Sequence, residues 1–310
     1  MMFSALKPIL QILIFPAGLF LVASGIVVEW IDRKLVARLQ NRVGPRWFQI
    51  LADIVKLLAK EEILPSAANP WLFIGLPMIA LAGCMTAALY VPLMGLSPAY
   101  SFSGDLIVTL YLLSLLTLSK GLAGWNTSSR FSLVGATRGL TQLFAYEAPF
   151  LLALLGPAIV AGSWQIDVIM QRNSSSWIIL TQPIGFLVAL IGLMGKLELP
   201  PFDAPEAETE IVAGAMTDYS GRGLAIFNIA KSVEFVIGLT LVAAFYLGGL
   251  NNPLEYLLKT FFILVVLIGL QTLLTRLRID QTVGLWWRYG AILVLIQWMI
   301  LIIWKESILL

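Results

Sequence analysis

The chain has 310 residues, of which 59% are hydrophobic and 12% charged, with a net charge of +2. A soluble domain carries about 25% charged residues, so this chain cannot cover a water-facing surface and reads as one polytopic helical membrane domain over residues 1–310. The small net charge gives no footing for nucleic acid. The single cysteine, Cys84, and the absence of histidine exclude an internal disulfide, a zinc site and an iron–sulfur cluster held by this chain alone.

A spanning helix needs roughly 20 mostly apolar residues. In chain order, eight such stretches are predicted at 8–30, 71–94, 105–123, 142–163, 178–197, 225–249, 257–275 and 285–304. Fifteen of the 20 Lys and Arg residues fall on the side of the links after spans 1, 3, 5 and 7, and four on the other, with Lys231 inside a span. The positive-inside rule then places those links in the cytoplasm of a cell-membrane protein and both termini outside.

The first of these links holds "WFQILADIVKLLAKEE". There Trp47, Ile50, Leu51, Ile54, Val55 and Leu58 follow the spacing of one helical face. A helix over 47–61 is expected, lying in the headgroup region or packed on neighbouring helices. Cys84 falls in the second span and is read as a packing residue. Asp105 and Glu255 sit at span ends on the opposite side, where solvation explains them.

The link after span 5 opens "GKLELPPFDAPEAETEIVAG". It gathers Glu198, Asp203, Glu206, Glu208 and Glu210, five of the 18 acidic residues, behind Lys196 and among Pro200, Pro201 and Pro205. The prolines restrict the backbone, so an ordered acidic loop over 198–224 is expected. Crowded carboxylates raise one another's pKa, as does burial, which suits proton uptake near neutral pH. The plainer reading is solvated or salt-bridged loop charge. Glu147, at the expected edge of span 4, has the same two readings. Lys231 and Glu234 lie three apart inside span 6, on one helical face; they read as a mutually neutralising pair or as part of a relay, since ionisable groups at membrane depth are costly.

Four polar stretches carry a wider resemblance: "EWIDRKLVARLQNRVGP" (29–45), "LAGWNTSSRFSLVGATRGLTQLFAYE" (122–147), the acidic loop running into "MTDYSG", and "RLRIDQ" (276–281). Together, and in this order, they resemble the membrane-anchor subunit of the respiratory complex I family, known as the H subunit in bacteria and as chain 1 in mitochondria. Its counterparts occur in energy-converting NiFe hydrogenases.

The resemblance implies docking of a peripheral electron-transfer arm whose subunits carry iron–sulfur clusters and a quinone or NiFe site, together with antiporter-like membrane partners. It implies a proton relay through Glu147, Lys196, Glu198, Asp203, Glu206, Glu208, Glu210, Lys231 and Glu234. It also implies subunit docking at Arg33, Lys34, Arg38, Arg42, Arg130, Arg138, Asp218, Tyr219, Arg278 and Asp280, although the basic residues of the first motif equally satisfy the positive-inside rule.

Two departures narrow the resemblance. The chain passes from "NRVGP" directly to "RWFQILADIV" without a second Val-Gly-Pro, and "KLELP" stands where quinone-linked members have a Glu-x-x-Arg-type sequence. Both point toward a ferredoxin-driven hydrogenase or sulfur reductase, with a quinone reductase as the alternative. A standalone ion transporter and a purely structural anchor are the readings from other classes.

Overall fold

The computed structural model describes residues 10–174 and 177–309, without the side chains of 304–309; residues 8–9 of the first predicted span lie outside this range. Among the described residues the fold is all helical. The long apolar helices are α1 (Gly18–Leu39), α3 (Pro70–Ala88), α4 (Asp105–Thr127), α5 (Arg130–Ala161), α8 (Gly221–Tyr246), α9 (Pro253–Leu273) and α11 (Ala291–Leu309). Shorter elements are α2 (Gln49–Ala59), α6 (Ile166–Asn173), α7 (Pro183–Lys196) and α10 (Ile279–Leu285). A π turn, Trp286–Gly290, joins α10 to α11 into one span, Ile279–Ile303.

Seven helical segments are long and apolar enough to cross a membrane. The fifth predicted span is the exception. Its helix breaks at Gln182, where the backbone leaves helical geometry before Pro183, and α7 has only 14 residues. That is about 21 Å of helix, against roughly 30 Å of hydrocarbon. The break is repaired inside the protein: Gln297 of α11 accepts from the Gly185 N–H and donates to Gln182 Oε1. Eight crossings therefore become seven full helices and one short, internally patched segment.

Boundaries shift for physical reasons. α1 runs on through "EWIDRKLVARL" because no breaker intervenes before Asn41 and Gly44, both with positive φ. α5 begins at Arg130, twelve residues before the predicted start at 142, and has 32 residues. Glu147 is thus mid-helix rather than at a span edge.

α8 is the hub. It packs on α1, α2, α3 and α9, and every residue from Ser232 to Tyr246 is buried. On α2, Ile50 and Ile54 are buried against the protein, while Leu51, Val55 and Leu58, with Trp47 just before the helix, remain exposed. Cys84 is fully buried in the core, as expected. Asp105 is not solvated but fully buried; it accepts from the Ile166 N–H at 2.8 Å and from Ser101 Oγ at 3.1 Å, tying the start of α4 to α6.

The acidic loop is a chain of short turns packed onto α4 and α5. Gln142 of α5 donates to the carbonyls of Gly195 at 3.0 Å and Phe202 at 2.8 Å. Gly135 lets the loop approach closely, since a Cβ there would stand 2.4 Å from Ala215 N. From the other side, the Leu277 N–H donates to Pro201 O at 2.9 Å.

Candidate functional site

α7 ends in a Schellman turn: Leu199 N–H donates to Met194 O at 3.0 Å and Glu198 N–H to Gly195 O at 3.4 Å. Glu198 occupies the left-handed position of that turn, with φ 53°. Glycine is the usual occupant, so a glutamate there is strained, and its side chain is fixed by ion pairs. It is held by Lys120 of α4, whose Nζ lies 2.6 Å from Glu198 Oε2 and 3.0 Å from Glu206 Oε1. Lys231 of α8 closes the group, 2.7 Å from Glu206 Oε2 and 3.8 Å from Glu198 Oε2. Two ammonium groups and two carboxylates thus form a neutral cluster from α4, α8 and the loop.

The two carboxylates are not equivalent. Burial pushes Glu198 up, and the charge of Glu206 adds to this; Lys120 opposes both, and the net shift is upward. Burial also acts on Glu206, but Lys120 and Lys231 together overcome it and hold that carboxyl well below the ordinary range. The cations therefore favour the charged form of Glu206 more than that of Glu198.

Deeper in the bundle, Lys196 Nζ stands 3.5 Å from Glu234 Oε1, both side chains at most 2% exposed. This corrects one of the two readings of Lys231 and Glu234, that they neutralise each other. The two are three apart on α8, but Lys231 reaches to the loop while Glu234 points into the core toward α7. Lys196 is therefore a core cation and not a loop residue.

Lys231, Glu206, Glu29, Asp32, Arg33 and Ser232 line a cavity of about 270 Å³ beside the cluster. Ser232 Oγ donates to Glu29 at 2.7 Å, Arg33 also bonds Glu29, and Gln271 Nε2 donates to Asp32 at 2.6 Å. Residues of α1 and α9 thereby enter a site that sequence reading confined to the loop, Glu147, Lys231 and Glu234.

The remaining acidic candidates separate. Asp203 is paired with Arg276 at 2.5 Å and Glu210 with Arg138 at 2.7 Å, both on the outer side of the loop. Glu208 is exposed. Glu147, partly buried, accepts from Ser114 Oγ of α4.

The docking candidates divide likewise. Arg38, Arg42, Arg130, Arg278 and Asp280 are exposed, the last two in a loose pair at 3.3 Å. Lys34 instead binds the carbonyls of Val43 at 2.9 Å and Pro45 at 3.4 Å, closing its own turn. Asp218 accepts from Ser132 at 3.0 Å. Tyr219 is buried, stacked on Phe73 with ring centres 4.1 Å apart and donating to Phe73 O. Its ring and hydroxyl are both engaged within the core of the chain.

Sequence reading missed Lys120, counting it only among the basic residues of a link. Its signal was a lone lysine in an apolar helix followed by Gly121, which is close-packed against Leu140. Among the described residues, no three Cys, Asp or Glu side chains gather as a metal site.

The NADH dehydrogenase family model matches residues 10–302. The H subunit of the NADH-quinone oxidoreductase of Carboxydothermus hydrogenoformans is 32% identical over 286 residues, covering 87% of this chain and 81% of that one. The corresponding protein of Anoxybacillus flavithermus is 33% identical over 293 residues, covering 87% of both. Among solved structures, a chain of the membrane-bound sulfane sulfur reductase, an archaeal respiratory membrane complex, superposes with a TM-score of 0.81 at 21% identity, covering 91% of this chain and 96% of that one. With the buried charge cluster set in a bundle of this fold, the chain belongs to the NADH dehydrogenase family, as a membrane subunit of the complex I type.

Proposed function

We propose that this subunit anchors a peripheral electron-transfer arm at its polar end and passes protons from that junction into the membrane. The observation that carries the reading is the neutral Lys120–Glu198–Glu206–Lys231 cluster, which borders a polar cavity and has the Lys196–Glu234 pair behind it. A proton crosses apolar packing only along titratable groups or water within hydrogen-bond reach. Charge arriving on a redox group near the loop would change the proton affinity of Glu198, which has one close cation where Glu206 has two. The relay is therefore Glu198, Glu206 and Lys231 at the mouth and Lys196 and Glu234 behind, with Glu147 on the adjoining α4–α5 seam.

The chain itself supplies no electron carrier in this reading; iron–sulfur clusters, and a NiFe centre where present, belong to peripheral partners, and antiporter-like subunits receive the charge. The polar end faces the cytoplasm and both termini lie outside. Arg38, Arg42, Arg130, Arg278 and Asp280 form the docking surface. The shortened first motif favours a ferredoxin-driven hydrogenase or sulfur reductase. A quinone reductase is the second reading, favoured by the relatives named as NADH-quinone oxidoreductase subunits. The test is purification of the native complex by a tag on this subunit. Co-purifying iron–sulfur proteins, with hydrogen, sulfide or quinol as reduced product, support the reading and choose between its forms. A chain that purifies only with itself would overturn it in favour of a standalone transporter.

A further inference from the structure

Lys120 sits where the deepest part of the acidic loop meets the bundle, and no feature of the loop's own sequence calls for it. Its side chain is 9% exposed and its single ammonium touches both Glu198 and Glu206. Glu206 has a second cation, Lys231, at 2.7 Å, whereas Glu198 has that cation only at 3.8 Å. The arrangement is asymmetric because Lys231 reaches from α8 on the Glu206 side. We propose that Lys120 is a positioning residue that clamps the two carboxylates into one proton-sharing pair and fixes which of them carries the proton. This rests on the proton-handling reading of the cluster.

The groups facing Lys120 from each packed element are few. The loop presents Glu198 and Glu206, and α8 presents Lys231. The Lys196–Glu234 pair of α7 and α8 lies within electrostatic range, as does Cys84 of α3. On α5, Arg138 is engaged with Glu210 and the Ala204 carbonyl, and Glu147 with Ser114. With Lys120 neutral, two carboxylates would face Lys231 alone. The cluster would then carry a net negative charge, and like charges at one site favour protonation of one of them. The left-handed backbone at Glu198 would also lose the contact that holds its side chain in place.

Infrared pH titration of the purified intact complex tests this, reading the protonated-carboxyl band that Glu198→Gln abolishes. Lys120→Met should move the midpoint of that band up by about one pH unit or more, a tenfold rise in proton affinity. Lys120→Arg, which keeps the charge, should restore the midpoint toward that of the native complex. An unchanged midpoint in Lys120→Met, or equal shifts in the Met and Arg variants, would overturn the proposal and leave Lys120 a packing residue. Should Lys120→Met fail to assemble, the double variant Lys120→Met/Glu198→Gln restores neutrality. It should show a new titration of Glu206, and the lack of one would equally refute the clamp. Failure of the proton-path reading gives a different pattern: the band shifts as described, yet neutralising Glu206 leaves ion translocation intact.

Discussion

The same chemistry, lysine against glutamate, occurs twice in the bundle and in opposite settings. The Lys196–Glu234 pair is enclosed by apolar packing, with neither side chain more than 2% exposed. The Lys120–Glu198–Glu206–Lys231 cluster touches a polar cavity, and Glu206 and Lys231 keep 36% and 30% of their side-chain surface. In the enclosed pair each ion leans chiefly on one partner. A cluster at the edge of water can gain a proton and redistribute its contacts. Lysines bridge two helices to the loop in one place, and two helices deep in the bundle in the other. An open cluster in front and an enclosed pair behind is the order that the proposed relay requires.

The largest effect should come from breaking the enclosed pair. Glu234→Gln leaves the Lys196 ammonium buried without its counter-charge, and losing one partner of a buried pair costs about 3–5 kcal/mol. The complex in detergent should show a clear fall in its thermal midpoint. Replacing both partners, as Lys196→Met/Glu234→Leu, should recover most of that loss. If Glu234→Gln is as stable as the native protein, the pair is not the closed ionic contact described.

Next comes pH. Glu206, held low, contributes stability that is full above the ordinary carboxylate range and is lost as pH falls through its depressed value. Glu198, held high, contributes in the opposite sense: its share is present in acid and is lost as pH rises through its elevated value. Hydrogen exchange over residues 198–206 should therefore stay slow into mild acid and quicken only in strong acid. Glu198→Gln should slow exchange relative to the native loop as pH rises. Loosening of the native loop in mild acid would contradict the assignment of Glu206.

Smaller effects belong to single contacts. Tyr219→Phe removes one hydrogen bond to the Phe73 carbonyl and should cost about 0.5–1.5 kcal/mol, with attachment of the peripheral subunits unchanged. Loss of those subunits from the purified variant would return Tyr219 to the docking surface. Smallest is the loop's outer rim. Arg138→Ala breaks a pair whose side chains are 27% and 50% exposed; such pairs contribute about 1 kcal/mol or less, and the shift in thermal midpoint should shrink further in high salt.

How much of this was legible in the sequence depends on the range of the interaction. Span composition, the flat face of α2 and the clustering of carboxylates are local patterns, and they located the bundle, α2 and the loop. Pairing is not local. Lys231 and Glu234 share a helical face by spacing, yet their partners come from the loop and from α7, because a lysine stem can reach a turn beyond its own backbone. Lys120 meets residues 78 and 86 positions away, which no motif in "LSKGLAGW" announces. Asp105 looked like a solvated helix end because its burial depends on α6 folding over it. The fifth span looked continuous because Gln182–Pro183 is only a brief step in an otherwise apolar run, and the repair of its break comes from Gln297, 115 residues on.

The central claim, that the cluster and not loop acidity in general carries the proton, is tested most directly by ion translocation per electron in vesicles containing the complex. Glu206→Gln and Glu208→Gln make the same chemical change two positions apart, one inside the cluster and one on the exposed surface. Glu206→Gln should lower the ion-to-electron ratio several-fold while electrons still pass, and Glu208→Gln should leave the ratio unchanged. An unchanged ratio in Glu206→Gln, or an equal fall in both variants, would contradict it.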